Sequence, residues 1–129
     1  MFCSIVSGEL PSYKIYEDDT VISILDIRPV SRGHTLVIPK KHYENIHEIP
    51  EDVMLRVYKI VKRVAEAQMR SLSPTGISVT QNNGAAAGQI IFHFHTHVVP
   101  KDAEFHERVD AGPAELSRIA TAIRDNMRP

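Results

Sequence analysis

The sequence predicts an α+β domain whose sheet is mostly antiparallel, and three observations carry that expectation. Short β-branched and aliphatic runs alternate with turn residues, a long stretch carries apolar residues at helical spacing, and a strictly alternating segment follows in the C-terminal third. Thr20 to Asp26 and Thr35 to Ile38 read as adjacent antiparallel strands, with Arg28, Pro29, Ser31 and Gly33 as the connecting turn. From about Glu51 to Leu72, Met54, Val57, Ile60, Val61, Val64, Ala65, Gln68 and Leu72 share one helical face on which only Gln68 is polar. Pro50 suits the first turn, Glu51 and Asp52 complement the positive end of the helix dipole, and Arg70 complements the negative end. After Pro74 and Gly76, Ile77 to Thr80 reads as a strand. Asn82, Asn83, Gly84 and Gly88 then mark a loop, and residues 91 to 99 form the last strand. Gly112 and Pro113 open a second helix whose Leu116, Ile119, Ala120, Ile123 and Met127 make one apolar stripe.

The 129 residues suffice for a single domain, 1–129, with one core, though a domain of this size gains from dimerisation. Lys and Arg number 15 against 16 Asp and Glu, for a net charge of −1. A chain so balanced offers no basic field to a phosphate backbone, which argues against polymeric DNA or RNA as partner and leaves small anions open. The single cysteine, Cys3, cannot close an internal disulfide, and neither a signal peptide nor a membrane-length apolar run is seen. The expected setting is the cytoplasm, away from membranes.

Function is legible in the alternating segment, which places His93, His95 and His97 at two-residue spacing. On a strand the three imidazoles share one face while Phe92, Phe94, Thr96 and Val98 share the other, so one side is expected to be core and the other chemistry. Three imidazoles are costly to bury without polar partners. Two chemistries fit them. Neutral imidazoles bind zinc or copper, and a histidine nitrogen can also attack phosphorus to form a covalent phosphoramidate while a neighbouring ring serves the leaving group. Gly88 permits close backbone approach, and the amides around Gln89, with its side chain, could cradle an anion. The strand has no acidic residue, which favours an anionic substrate over a metal.

The run Gly88-Gln89-Ile90-Ile91-Phe92-His93-Phe94-His95-Thr96-His97-Val98-Val99-Pro100 resembles the signature of the histidine triad (HIT) superfamily of nucleotide hydrolases and transferases. Two earlier blocks resemble that family as well: Cys3 to Pro11 with Tyr16-Glu17-Asp18, and Asp26-Ile27 through Gly33-His34-Thr35 to His42. The resemblance spans roughly residues 2 to 100 and is nearest to the small Hint-like and bacterial HIT hydrolases. It implies a five-stranded antiparallel sheet with two helices, continued across a homodimer. It also implies that His95 is the nucleophile toward the α-phosphorus of a purine nucleoside monophosphate derivative, with the linkage a phosphoramidate, an acyl-adenylate or a dinucleoside polyphosphate. His97 would contact the phosphate and assist the leaving group, and His93 and His34 would orient the other rings. Gln89 would contact the phosphoryl region and Asp26 the ribose hydroxyls, Ile27, Ile24, Ile5 and Phe2 would form an apolar slot for the base, and Asn82 and Gly88 would line the phosphate side. A carboxylate suits a cis-diol and an apolar slot suits a flat base.

The chain departs from the family pattern in places. Many bacterial relatives hold a structural zinc with a Cys-x-x-Cys pair and two histidines, whereas Cys3 stands alone here, so no metal and no cofactor is expected. Position 90 usually carries Ser or Thr in relatives, and here it is Ile90. Plainer readings also exist. Cys3 reads as a small buried hydrophobe, Asp26 could cap the turn before Pro29, and His42, His47 and His106 read as solvated positions without a role. The alternatives to an enzyme are a nucleotide-binding regulatory module with vestigial activity and a histidine-rich metalloprotein.

Overall fold

The computed structural model describes residues 2–102 and 112–128. In chain order the elements are α1 (Phe2–Val6), β1 (Lys14–Glu17), β2 (Val21–Leu25), β3 (Thr35–Pro39), α2 (Glu51–Leu72), β4 (Gly76–Thr80), a 3-10 turn at Ala85–Ala87, β5 (Thr96–Lys101) and α3 (Pro113–Asp125). The five strands form one antiparallel sheet in the order β1-β2-β3-β5-β4.

The period of two sorts the strand residues onto two faces. Ile15, Val21, Leu25, Val37, Phe94 and Val98 pack beneath α2 and α3, against Val57, Ile60, Val61, Val64, Leu116, Ile119 and Ile123. Ile22, Ile24, Leu36 and Ile38 point the other way and are covered by Phe2 and Ile5 of α1. Because Leu36 pairs with His97, the histidines fall on this second, thinner side of the sheet. Burying each of these aliphatic side chains contributes about 1.5–3 kcal/mol, so α1 is held chiefly by Phe2 and Ile5.

The long helix spans the expected residues, with Pro50 at its N-cap, and ends at Ser73, whose left-handed backbone donates to Met69 O. The lone polar residue on its buried face, Gln68, clamps helix to sheet. Its Nε2 donates to Gly33 O (2.9 Å), Thr35 Oγ1 (3.2 Å) and Val98 O (2.9 Å), fixing α2 over the β3–β5 pair. Gly33 itself sits at φ +84° so close to α2 and α3 that a Cβ there would overlap Leu72 Cδ1.

Three expectations are corrected. The histidine strand begins at Thr96, not Ile91, because the backbone before it bonds outside the ladder: Phe94 N–H donates to Tyr43 O at 2.6 Å. Phe92 is not core but 47 % exposed, whereas Phe94, Thr96 and Val98 are fully buried. Strand β1 and helix α1 had no signal of their own in the residues, since Lys14-Ile15-Tyr16-Glu17 buries one aliphatic side chain and α1 is five residues long.

Candidate active site

The three triad rings meet on the α1 side of the sheet, His93 and His95 buried and His97 partly so. Phe2 stands edge-on to His93 (centroids 5.6 Å apart) and to His95 (5.1 Å), and the His95 and His97 rings lie 4.9 Å apart. His34, at the mouth of β3, joins them from the neighbouring strand. The face expected for chemistry is therefore assembled, although only His97 lies within a regular strand.

Backbone groups fix the proton on each ring, because an amide N–H can only donate and a carbonyl can only accept. Val30 N–H donates to His34 Nδ1 (3.1 Å), so the His34 proton is on Nε2, which lies 2.9 Å from His97 Nδ1. His34 then donates to His97, whose own proton is left on Nε2. His95 donates from Nδ1 to the His93 carbonyl (2.8 Å), which leaves its lone pair on Nε2. His93 donates from Nε2 to the Pro39 carbonyl (2.8 Å), which leaves its lone pair on Nδ1. The result is one ring with a free lone pair, His95, beside one with a free N–H, His97: a nitrogen able to act as a nucleophile next to a hydrogen-bond donor.

Burial keeps these rings neutral. It is the main cause of a depressed pKa at His93 and at His95. At His97 burial, followed by the neighbouring His95 and His34, lowers the pKa to about 4. A neutral His95 is a competent nucleophile near pH 7, and a neutral His97 retains its single N–H there.

Asp26 caps the turn before Pro29. Its Oδ1 accepts from Arg28 N–H (2.8 Å), capping the turn, while Oδ2 lies 3.7 Å from His34 Nε2 at the edge of the ring cluster. The four residues expected to form an apolar slot do not share one environment. Phe2, Ile5 and Ile24 are buried together, with Leu36 and the partly buried Ile91 and Val6 beside them, whereas Ile27 is 67 % exposed. Leu36 and Ile91 were missed by the sequence reading, although strand alternation from Ile24 and the apolar approach to the triad pointed to both.

Gln89 and Gly88 differ from expectation. Gln89 is buried, its Oε1 accepts from Gly84 N–H (2.7 Å), and its Nε2 donates to Glu44 O (2.6 Å) and Ile91 O (3.1 Å). Both amide hydrogens are thus committed to the loop, and none is left for a phosphoryl oxygen. The backbone amides of Gly88 and Gln89 are likewise spent, on Ala85 O and Gly84 O, so they form no anion cradle. Gly88 is required for conformation, at φ +96°, and a Cβ there would press on Asn82 Nδ2.

The corner beyond His93 holds contacts the sequence did not point to. Cys3 is exposed rather than buried, and His42, exposed as expected, has Nδ1 3.2 Å from His93 Nδ1. Cys3 Sγ lies 3.8 Å from His93 Nδ1 and 4.0 Å from His42 Nδ1. One sulfur and two nitrogens at these separations suit the corners of a tetrahedral metal site, and the His93 Nε2–H bond to Pro39 O orients its lone pair as a ligand's outer hydrogen bond does. Val6, one helical turn beyond Cys3, supplies no fourth donor. Asp26, His34 and His97 also lie close together, but the two rings are joined directly by a hydrogen bond. His47 is exposed, and His106 lies outside the described residues.

Fold and ring cluster together define a histidine-triad domain, and the comparisons agree. The HIT domain family model matches residues 7–104, and the chain belongs to the HIT family. Adenylylsulfatase HINT3 of Arabidopsis thaliana is 43 % identical over 101 residues, 78 % of this chain and 51 % of that protein. A hypothetical histidine triad nucleotide-binding protein of Sulfolobus tokodaii superposes with a TM-score of 0.91 at 38 % identity, covering 97 % of this chain and 89 % of that one. A zinc-bound histidine triad family protein of Mycobacterium smegmatis gives 0.88 at 38 % identity, covering 97 % and 90 %.

Proposed function

We propose that the chain is a nucleotide hydrolase or transferase that cleaves purine nucleoside monophosphate derivatives through a nucleotidyl-histidine. The observation that carries this reading is the proton order through the rings, which frees the His95 Nε2 lone pair beside the His97 Nε2–H. His95 attacks the α-phosphorus, and the bond to the leaving group breaks with its electron pair going to the leaving atom. The His97 Nε2–H hydrogen-bonds that atom, whose proton comes from solvent water, so that His97 ends the step neutral as it began. Water then cleaves the phosphorus–nitrogen bond and releases the nucleoside monophosphate. His34 and His93 hold the other two rings in their tautomers, Asp26 meets the ribose hydroxyls, and the base rests on Ile27 above the floor of Phe2, Ile5 and Ile24. Asn82 and Gly88 flank the phosphate, with Gln89 bracing their loop.

The test uses adenosine 5′-phosphoramidate as substrate. Wild type should release AMP and, after rapid quench with labelled substrate, carry the label on His95. His95→Ala should lose at least about 10²-fold in turnover, the usual share of such a group, while still binding AMP. Wild-type turnover by His95→Ala would refute the reading.

The working unit in this proposal is a homodimer. Strand β4 is a sheet edge, and Leu55 (67 % exposed), Tyr58 (41 %) and Met69 (46 %) form a second apolar stripe on α2. Sedimentation should give twice the chain mass, and Leu55→Lys should shift it toward the monomer. No helix among the described residues is long and apolar enough to cross a membrane, and a reducing cytoplasm suits the exposed, unpaired Cys3. A second reading concerns metal: Cys3, His42 and His93 would hold a zinc ion as a cross-link between α1, the segment after β3 and the triad, apart from the His95 and His97 chemistry.

A further inference from the structure

The first two triad residues stand outside the sheet ladder that holds the third. Strand β3 pairs with β5 through Thr35, Leu36 and Val37, opposite Val98, His97 and Thr96, and that ladder stops short of His95. The segment that follows β3 supplies the missing support. Pro39 O accepts from His93 Nε2 (2.8 Å), Tyr43 O accepts from Phe94 N–H (2.6 Å) between the two histidines, and His42 Nδ1 lies 3.2 Å from His93 Nδ1. Glu44 O, next along, accepts from Gln89 Nε2 (2.6 Å), so residues 39–44 run beside the approach to the triad as a splint.

Hydrogen-bond chemistry sets the direction of the histidine pair. A carbonyl can only accept, so neutral His93 carries its proton on Nε2, facing Pro39 O, and its lone pair on Nδ1. His42 therefore donates from its own Nδ1. The Cys3 thiol, a weak donor, stands farther from the same lone pair at 3.8 Å. His93 is thus gripped at both ring nitrogens and flanked edge-on by Phe2 (centroids 5.6 Å apart), while its backbone carbonyl receives the His95 Nδ1–H (2.8 Å). Fixing the His93 ring fixes the residue whose carbonyl aims the His95 lone pair.

We infer that His42, an exposed side chain outside the proposed chemistry, is a positioning residue: its Nδ1–H holds the His93 ring and, through the His93 carbonyl, the orientation of the His95 nucleophile. Its effect on rate rests on the hydrolase reading above, whereas the hydrogen bond stands without it. A metal ion at this corner would take both Nδ1 atoms as ligands, so the hydrogen bond belongs to the metal-free protein. A nucleophile slightly out of line slows the chemical step more than it weakens substrate binding, so loss of the contact should appear in kcat.

The experiment takes two readouts on chelator-treated protein. Imidazole nitrogen NMR of wild type at mildly alkaline pH should show His42 as the Nδ1–H tautomer and His93 as the Nε2–H tautomer. His42 carrying its proton on Nε2 would overturn the inference whatever the kinetics. With adenosine 5′-phosphoramidate, His42→Ala should lower kcat about five- to tenfold and leave KM within about twofold of wild type. His42→Asn, whose side-chain amide places an N–H close to the position of Nδ1, should recover most of that loss, because the donor rather than the ring acts on His93. Wild-type kcat in His42→Ala, or an equal loss in both variants, would overturn the inference while leaving the hydrolase reading intact. Absence of turnover by wild type would overturn that reading instead, and the tautomers would still decide whether His42 holds His93.

Discussion

His34 Nε2 lies 2.9 Å from His97 Nδ1, and the Val30 amide at the far side of the His34 ring decides that the shared proton belongs to His34. Through this contact a turn between β2 and β3 governs which nitrogen of His97, on β5, carries a hydrogen.

Removing that control should slow the chemistry more than binding. For His34→Ala, steady-state kinetics with adenosine 5′-phosphoramidate should show kcat lower by about ten- to a hundredfold, less than loss of a direct acid or nucleophile, with KM little changed. Equal kcat in variant and wild type would show that the tautomer of His97 is fixed otherwise.

The buried imidazoles make stability depend on acid. Unfolded histidines protonate near 6.5, whereas in the fold His93 and His95 do so at lower pH and His97 at about 4. Between those values the unfolded chain binds more protons, so the histidine contribution is complete above pH 6.5 and is lost as pH falls toward 4. Thermal melts of chelator-treated protein should therefore decline across that window, before protonation of Glu17 and Asp18, whose pKa values are themselves lowered, adds its own loss. The same depression should place the acidic limb of the kcat/KM profile below 6.5, extending the bell expected near neutrality toward acid.

Gln68 is the polar residue on which the helix–sheet junction turns. Gln68→Leu keeps the volume but removes the donor to the Gly33 and Val98 carbonyls, of which Gly33 O still accepts from Thr35 Oγ1 (2.7 Å), and denaturant titration should report a loss of about 1–2 kcal/mol. A neutral result would mean that apolar packing of the substituted side chain replaces what the two bonds supplied.

The Cys3–His42–His93 corner can be tested apart from catalysis. Zinc added to metal-free protein should raise its melting temperature, and Cys3→Ser should weaken that response, since a thiolate is the strongest donor of the set. Chelation should leave turnover in place, because His95, His97 and His34 lie outside the corner. An equal zinc response in Cys3→Ser would place the metal elsewhere.

Much of this arrangement was legible along the chain. The helix over Glu51 to Leu72 and the alternation that sends Phe94 and Val98 to one side and the histidines to the other depend on local periodicity, which the sequence states directly. The triad and His34 were found because their spacing and surrounding motifs lie within short windows. Contacts between distant segments could not be read that way. The contacts of exposed His42 were hidden because its partners, Cys3 and His93, are 39 and 51 residues away, and Gln89 looked like a ligand-binding amide because Glu44, which occupies it, lies across the fold. The proton order was equally hidden, since it depends on which backbone N–H or carbonyl each ring meets after folding. Sequence by itself therefore determined the family, the two long helices, most of the strands and which histidines share one face. Tertiary structure alone decided which nitrogen of each ring is free, which polar groups are already spent and which apolar side chain is left facing water, because these are properties of long-range neighbours in a packed interior.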